Sequence, residues 1–189
     1  MSAEATIGVA IHSAWAMVVA VSSPREAPGF LRRERIELTG DGMPSQAYHA
    51  AADTGLGLAD AADLVDRCAA ASTAAAETAL SSILSELRVT GHDVVACGIA
   101  ANVRRLPPLP EILRSHPLLH AAEGELARAA IAGAAARVHL RVVHVAPKDT
   151  PPPQVASMIA GLGRAAGPPW AADHKTAARA ALAALASLD

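Results

Sequence analysis

Residues 92–100, HDVVACGIA, are apolar or glycine at every position after Asp93. A strand-length run without alternation has no face to give to water, so it needs a covering layer on both sides. Its surroundings supply candidates for those layers. ATIGVAI and WAMVVAVS, residues 5–11 and 15–22, are apolar, rich in β-branched residues, and joined by the short segment around His12 and Ser13. They read as two strands, 6–12 and 15–22, with a tight turn between them. FLRRERIELTG, residues 30–40, alternates from Arg33 onward, placing Arg33, Arg35 and Glu37 on one face and Glu34, Ile36 and Leu38 on the other. It reads as a third strand with one wet face.

Residues 41–57 carry turn formers and no clear period, and read as a loop. A long helix is expected over 59–87, with Asp60 and Asp63 near its N-terminus, where acids suit the helix dipole. After the buried strand, LPPLPEILRSHP breaks the chain, and a second helix is expected over 117–136. RVHLRVVHVAP, residues 137–147, reads as a fifth strand. PPPQVASMIAGLG reads as a helix opened by prolines and stopped at glycine, and a last helix follows with Asp173 as its candidate N-cap. The order β-β-β-α-β-α-β-α-α predicts an α/β fold. Its mixed five-stranded sheet combines a three-strand antiparallel meander with two parallel strands, and helices lie on both faces. The chain shows no internal repeat, and residues 1–189 read as one domain.

Composition narrows the function classes. Hydrophobic residues make up 52% of the chain and aromatics only 2%, so the core is expected to be built from small side chains that let helices lie close. The net charge is −2 and the 16 Lys and Arg are scattered, without the basic stripe typical of tight nucleic-acid binders. The clusters Arg32, Arg33, Arg35 and Arg104, Arg105 read as solvated surface. Cys68 and Cys97 form no CxxC pair, which argues against a thiolate zinc site and for free, buried thiols. The N-terminus lacks a basic leader region, and no apolar run reaches the roughly 20 residues of a membrane span. The expectation is a cytoplasmic protein without a membrane partner.

The order of elements resembles that of the ribonuclease H-like superfamily, and from residue 92 onward it resembles RuvC-type Holliday-junction resolvases in particular. The resemblance is carried by HDVVACGIA, LLHAAEGELARAAIAGAAA, LRVVHVAPKD, PQVASMIAGLG and ADHKTAARAALAAL in that order. It implies carboxylates converging on two divalent metals for in-line phosphoryl displacement. The first of these acids sits in the first strand, in a pattern like G-I-D-x-G, and here the matching residues are Ala10 and His12. The acid near the end of the fourth strand corresponds to about Gly98, and only Asp173 survives on the last helix, with Thr176 or Ala177 one turn later. The magnesium site of the superfamily is therefore expected to be dismantled.

Other polar groups fall near the same end of the sheet. His116, His120 and Glu123 are spaced i, i+4, i+7, along one helical face. With His12, Asp173 and His174 they are expected to line one cleft. Histidine with carboxylate suits zinc, iron or manganese better than magnesium, and His116, His120, Glu123 and Asp173 are the candidate metal ligands. Asp173, Glu123, His120 and His12 are the candidate catalytic groups. Glu125 and Arg128 read as a surface ion pair, and Trp15 and Trp170 as core or turn anchors. The leading expectation is a diverged, non-catalytic ribonuclease H-like binding or scaffold domain. Its partner would be a protein or a structured nucleic acid, or a second copy through the alanine-rich helices. The alternative is a metal-dependent nuclease or phosphodiesterase with a rearranged histidine–carboxylate site.

Overall fold

The computed structural model describes residues 2–146 and 150–188. Strands β1 (Ala3–Ile11), β2 (Trp15–Ser22), β3 (Gly29–Glu37), β4 (His92–Ala100) and β5 (Arg141–His144) form one sheet in the order β3-β2-β1-β4-β5. β1 pairs antiparallel with β2, and β2 with β3, whereas β4 runs parallel to β1, and β5 to β4. The sheet is therefore the expected meander extended by two parallel strands, with β1 at its centre.

Helices α2 (Leu58–Val89) and α4 (His116–Arg137) cover one face. Ile7 and Val9 of β1 pack there with Val18, Leu80, Ile83 and Ile131. Helices α5 (Pro153–Ala166) and α6 (Ala172–Ala186) cover the other, burying Val19 and Val21 against Ile159, Leu162 and Leu182. Arg33 of β3 holds the connection between α5 and α6 by donating to the carbonyls of Gly167, Pro168 and Pro169 at 2.7, 3.0 and 2.6 Å. Among the described residues, no helix is long and apolar enough to cross a membrane.

The face of β1 and β4 turned toward α6 is lined by small residues in matched register: Thr6 beside Ala96, Gly8 beside Gly98, Ala10 beside Ala100. α6 answers with Ala177, Ala178, Ala180, Ala181 and Ala184, all fully buried. The helix comes so close that a Cβ built on Gly8 would lie 2.0 Å from the Ala177 carbonyl oxygen, and one on Gly98 would lie 2.0 Å from that of Ala180. The Thr6 hydroxyl donates to the Ala181 carbonyl at 2.8 Å, so the one polar group in the trough is satisfied. The scarcity of large residues noted in the sequence thus has a structural counterpart: backbone packs on backbone.

Several local expectations are corrected. The segment read as a loop contains α1 (Ala47–Asp53), whose buried Ala47 and Ala51 are four apart on one face. The proline-rich break holds a short helix, α3 (Leu109–Ile112). The fifth strand is shorter than 137–147, because α4 continues to Arg137 and His139 takes a positive φ of 62° before the strand begins; Pro147, expected to end it, lies outside the described residues. Asp173 is not the N-cap of α6. That position is Ala171, and its N–H is taken by His174 Nδ1 at 3.1 Å, leaving Asp173 in the first turn. Cys68 and Cys97 are both free and buried. Burial pushes the Cys97 thiol up to about 12, which makes it inert as a nucleophile.

Candidate functional site

In open α/β sheets, ligands bind outside the carboxyl ends of the strands. Here the ends of β1 and β4 open on a cleft of about 550 Å³ whose lining includes His12, Ser13, Asn102, Arg104, His120 and Glu125. The two positions that the resemblance matches to metal-binding acids, Ala10 and Gly98, are not among the residues lining it. Ala10 is 4% exposed and packed in the α6 layer, whereas Ala100, level with it on β4 and 6% exposed, borders the cleft with only a methyl group. Gly98 lies one pleat further back, beside Gly8, with the α6 backbone directly over it.

Asp173 does stand at this edge. Its Oδ1 lies 3.1 Å from His12 Nε2, with both side chains well exposed, so the pair contributes less than about 1 kcal/mol to stability. The other side of His12 is occupied: its ring stacks on Trp15 with centroids 4.0 Å apart, and the Arg35 guanidinium lies 4.3 Å from the Trp15 centroid. Trp15 therefore anchors the β1–β2 turn, as its place in the sequence implies, and its ring is already engaged. His174, next in sequence to Asp173, is buried beside Trp170 and away from the cleft lining. Burial, with the Arg33 charge, lowers its pKa, so it sits neutral and accepts the Ala171 N–H.

His116, His120 and Glu123 share one side of α4, and each finds a partner there. His116 and His120 bring their Nε2 atoms to 3.3 Å. Glu123 is 2% exposed and turns toward α1, where its Oε1 accepts from the backbone N–H of Tyr48 at 2.8 Å and of His49 at 3.1 Å. These are the free amides of the first turn of α1, whose own N-cap, Gln46, makes no side-chain bond. Glu123 thus caps α1 from another helix. The same oxygen lies 3.2 Å from His49 Nδ1. His49, absent from the candidates read in the sequence, is thereby drawn against His116 and His120, with ring centroids 5.6 and 4.7 Å away. The only sequence signal for it was the four-residue spacing of Ala47 and Ala51, too brief to show a helix.

Glu125 and Arg128 form the expected ion pair, half-buried in the cleft wall rather than fully solvated. Their side chains are 17% and 13% exposed, and Arg128 grips both carboxylate oxygens through Nε at 3.0 and 2.9 Å. Glu125 Oε2 also accepts the Arg104 N–H at 3.3 Å, tying the cleft wall to α4. Despite its own burial, these donors lower the Glu125 pKa and keep the carboxylate charged.

No protein-family model and no curated protein matches the sequence. Among solved structures, the chain is similar to T. thermophilus RuvC in complex with Holliday junction substrate. That match has a TM-score of 0.54 at 15% identity and covers 95% of this chain and 90% of the other. The chain has a RuvC-type, ribonuclease H-like fold. At this identity the likeness concerns the fold, and the RuvC-type frame is occupied here by a different set of side chains.

Proposed function

We propose that this RuvC-type domain no longer uses the magnesium chemistry associated with its fold and serves as a binding domain, with its ligand face at the cleft beyond β1 and β4. The observation that carries this reading is the seating of α6 on Gly8 and Gly98, where a single Cβ would fall 2.0 Å from helix backbone. Two-metal catalysis needs several carboxylates around a pair of hard cations, whereas here Asp173 is beside His12 and the Glu125 carboxylate is taken by Arg128 and the Arg104 N–H. The RuvC neighbour was solved with a Holliday junction, which makes branched DNA the first ligand to test. The net charge of −2 and the scatter of the basic residues argue against affinity driven by phosphates and support a protein partner.

The expected result is no magnesium-dependent cleavage of branched DNA or RNA–DNA hybrid above background. Cleavage abolished by EDTA and by Asp173→Asn would overturn the reading. A second reading, hydrolysis at a rearranged site, is favoured by the meeting of His49, His116 and His120. It requires cleavage that zinc or manganese supports, magnesium does not, and His120→Ala removes.

A further inference from the structure

We infer that His49, His116 and His120 form a binding site for one divalent first-row transition metal, of which zinc is the representative. One ligand atom from each lies within 4.8 Å of the others. In a tetrahedral site with metal–nitrogen bonds of about 2.0–2.1 Å, neighbouring nitrogens stand about 3.3 Å apart. His116 Nε2 and His120 Nε2 already stand at 3.3 Å. Their i, i+4 spacing on α4 sets this edge, as the same spacing does in other helical metal sites.

The third ligand is prepared rather than merely near. His49 Nδ1 lies 3.2 Å from the buried Glu123 carboxylate and donates its proton there, so Nε2 carries the free lone pair. His49 Nε2 is buried and, among the described residues, has no hydrogen-bond partner. A carboxylate that fixes the tautomer of a ligating histidine and raises its basicity is the usual outer partner in such sites. A buried imidazole nitrogen left unpaired costs free energy, and a cation held between it and His116 and His120 would offset that cost.

The donor set also selects the ion. Three neutral imidazoles suit zinc, copper, nickel or cobalt and not magnesium or calcium, which prefer oxygen. Three protein ligands leave the fourth tetrahedral position open. His116 and His120 are exposed while His49 is sheltered, so the open position faces solvent. His120 also lines the cleft, which puts the ion at its rim. The imidazoles are neutral, so the bound ion keeps its double positive charge and would take water, hydroxide or a small oxyanion as fourth ligand. Asp173, at the His12 end of the cleft, has no part in it.

The site stands independently of the binding reading, because metal uptake is measured without any cleavage assay. Metal-free protein titrated with Co²⁺ should develop the intense visible bands of tetrahedral cobalt, saturating at one ion per chain and displaced by Zn²⁺. His120→Ala, at an exposed position that leaves the fold intact, should abolish the bands. Glu123→Gln should weaken zinc binding by about 10–100-fold, and His12→Ala should leave it unchanged. Absence of the bands in the unaltered protein, or bands of unchanged intensity in both His120→Ala and His49→Ala, would overturn the assignment.

Discussion

Replacing Gly98 with aspartate is expected to unfold the protein rather than rebuild a metal site. The first atom of any side chain at this position would meet the Ala180 carbonyl oxygen at 2.0 Å and its carbon at 2.5 Å. Non-bonded heavy atoms rest about 3.5 Å apart, so α6 would have to lift from the sheet by more than about 1 Å. That motion would open the all-alanine layer beneath it, in which Ala177, Ala178 and Ala181 share a core with Val19, Val21 and Leu182. Overpacking ordinarily costs about 1–3 kcal/mol and occasionally more. Here the obstacle is helix backbone, with no rotamer to yield, and a carboxylate would also be buried without a partner. A loss of at least about 4 kcal/mol is expected for Gly98→Asp, and about 3 kcal/mol or more for Gly98→Ala or Gly8→Ala. Gly133 is the control: its added Cβ would meet Thr73 Cγ2 at 3.5 Å, an ordinary contact. Gly133→Ala should be neutral or stabilising by up to about 1 kcal/mol, as expected for glycine within a helix. Denaturant unfolding of the four variants side by side measures the contrast.

The second large effect is expected at Glu123. Its carboxylate caps α1 and orients His49, and truncation to alanine leaves the Tyr48 and His49 amides and the His49 ring without acceptors in a closed environment. Bonds to a charged acceptor contribute about 1.5–3 kcal/mol, and stranded donors add their own desolvation cost. Glu123→Ala should therefore destabilise by about 3 kcal/mol, whereas Glu123→Gln, which retains an acceptor oxygen, should cost about half that. Hydrogen exchange gives the loss an address: protection should fall first at Tyr48 and His49, while the amides of β1 and β4 keep theirs. Uniform loss across the sheet would mean that Glu123 supports the core as a whole and not α1.

Long elements with a simple reason to exist were readable in the sequence. HDVVACGIA forms β4 over the residues expected, because a strand buried on both faces leaves no polar ambiguity in its pattern. The long alanine-rich run forms α2, extended by a residue at its start and two at its end. Short elements set by distant partners were hidden. α1 exists because Glu123 reaches it from α4, so no local cap announces it in the sequence. Asp173 looked like a cap, but the neighbouring His174 takes the Ala171 N–H through its ring. The candidate site divided in the same way. Helical spacing brought His116 and His120 together, and the turn after β1 brought His12 to Asp173. His49 depends on the tertiary placement of a helix that the sequence read as a loop. Glu123 and Glu125, two residues apart, look alike in the sequence. One is committed to α1 and the other to Arg128 and Arg104, a difference that only packing decides.

In the proposed reading, close packing of α6 stands at the end of the sheet where the resemblance implies metal-binding acids. That packing is tested most directly by crystals soaked in Mn²⁺, the anomalous scatterer that stands in for magnesium. The expected result is no manganese peak among Ala10, Gly98, Ala100 and Asp173, with Gly8 and Gly98 still under the Ala177 and Ala180 carbonyls. One or two manganese ions bound there by Asp173, with α6 displaced to admit them, would contradict it.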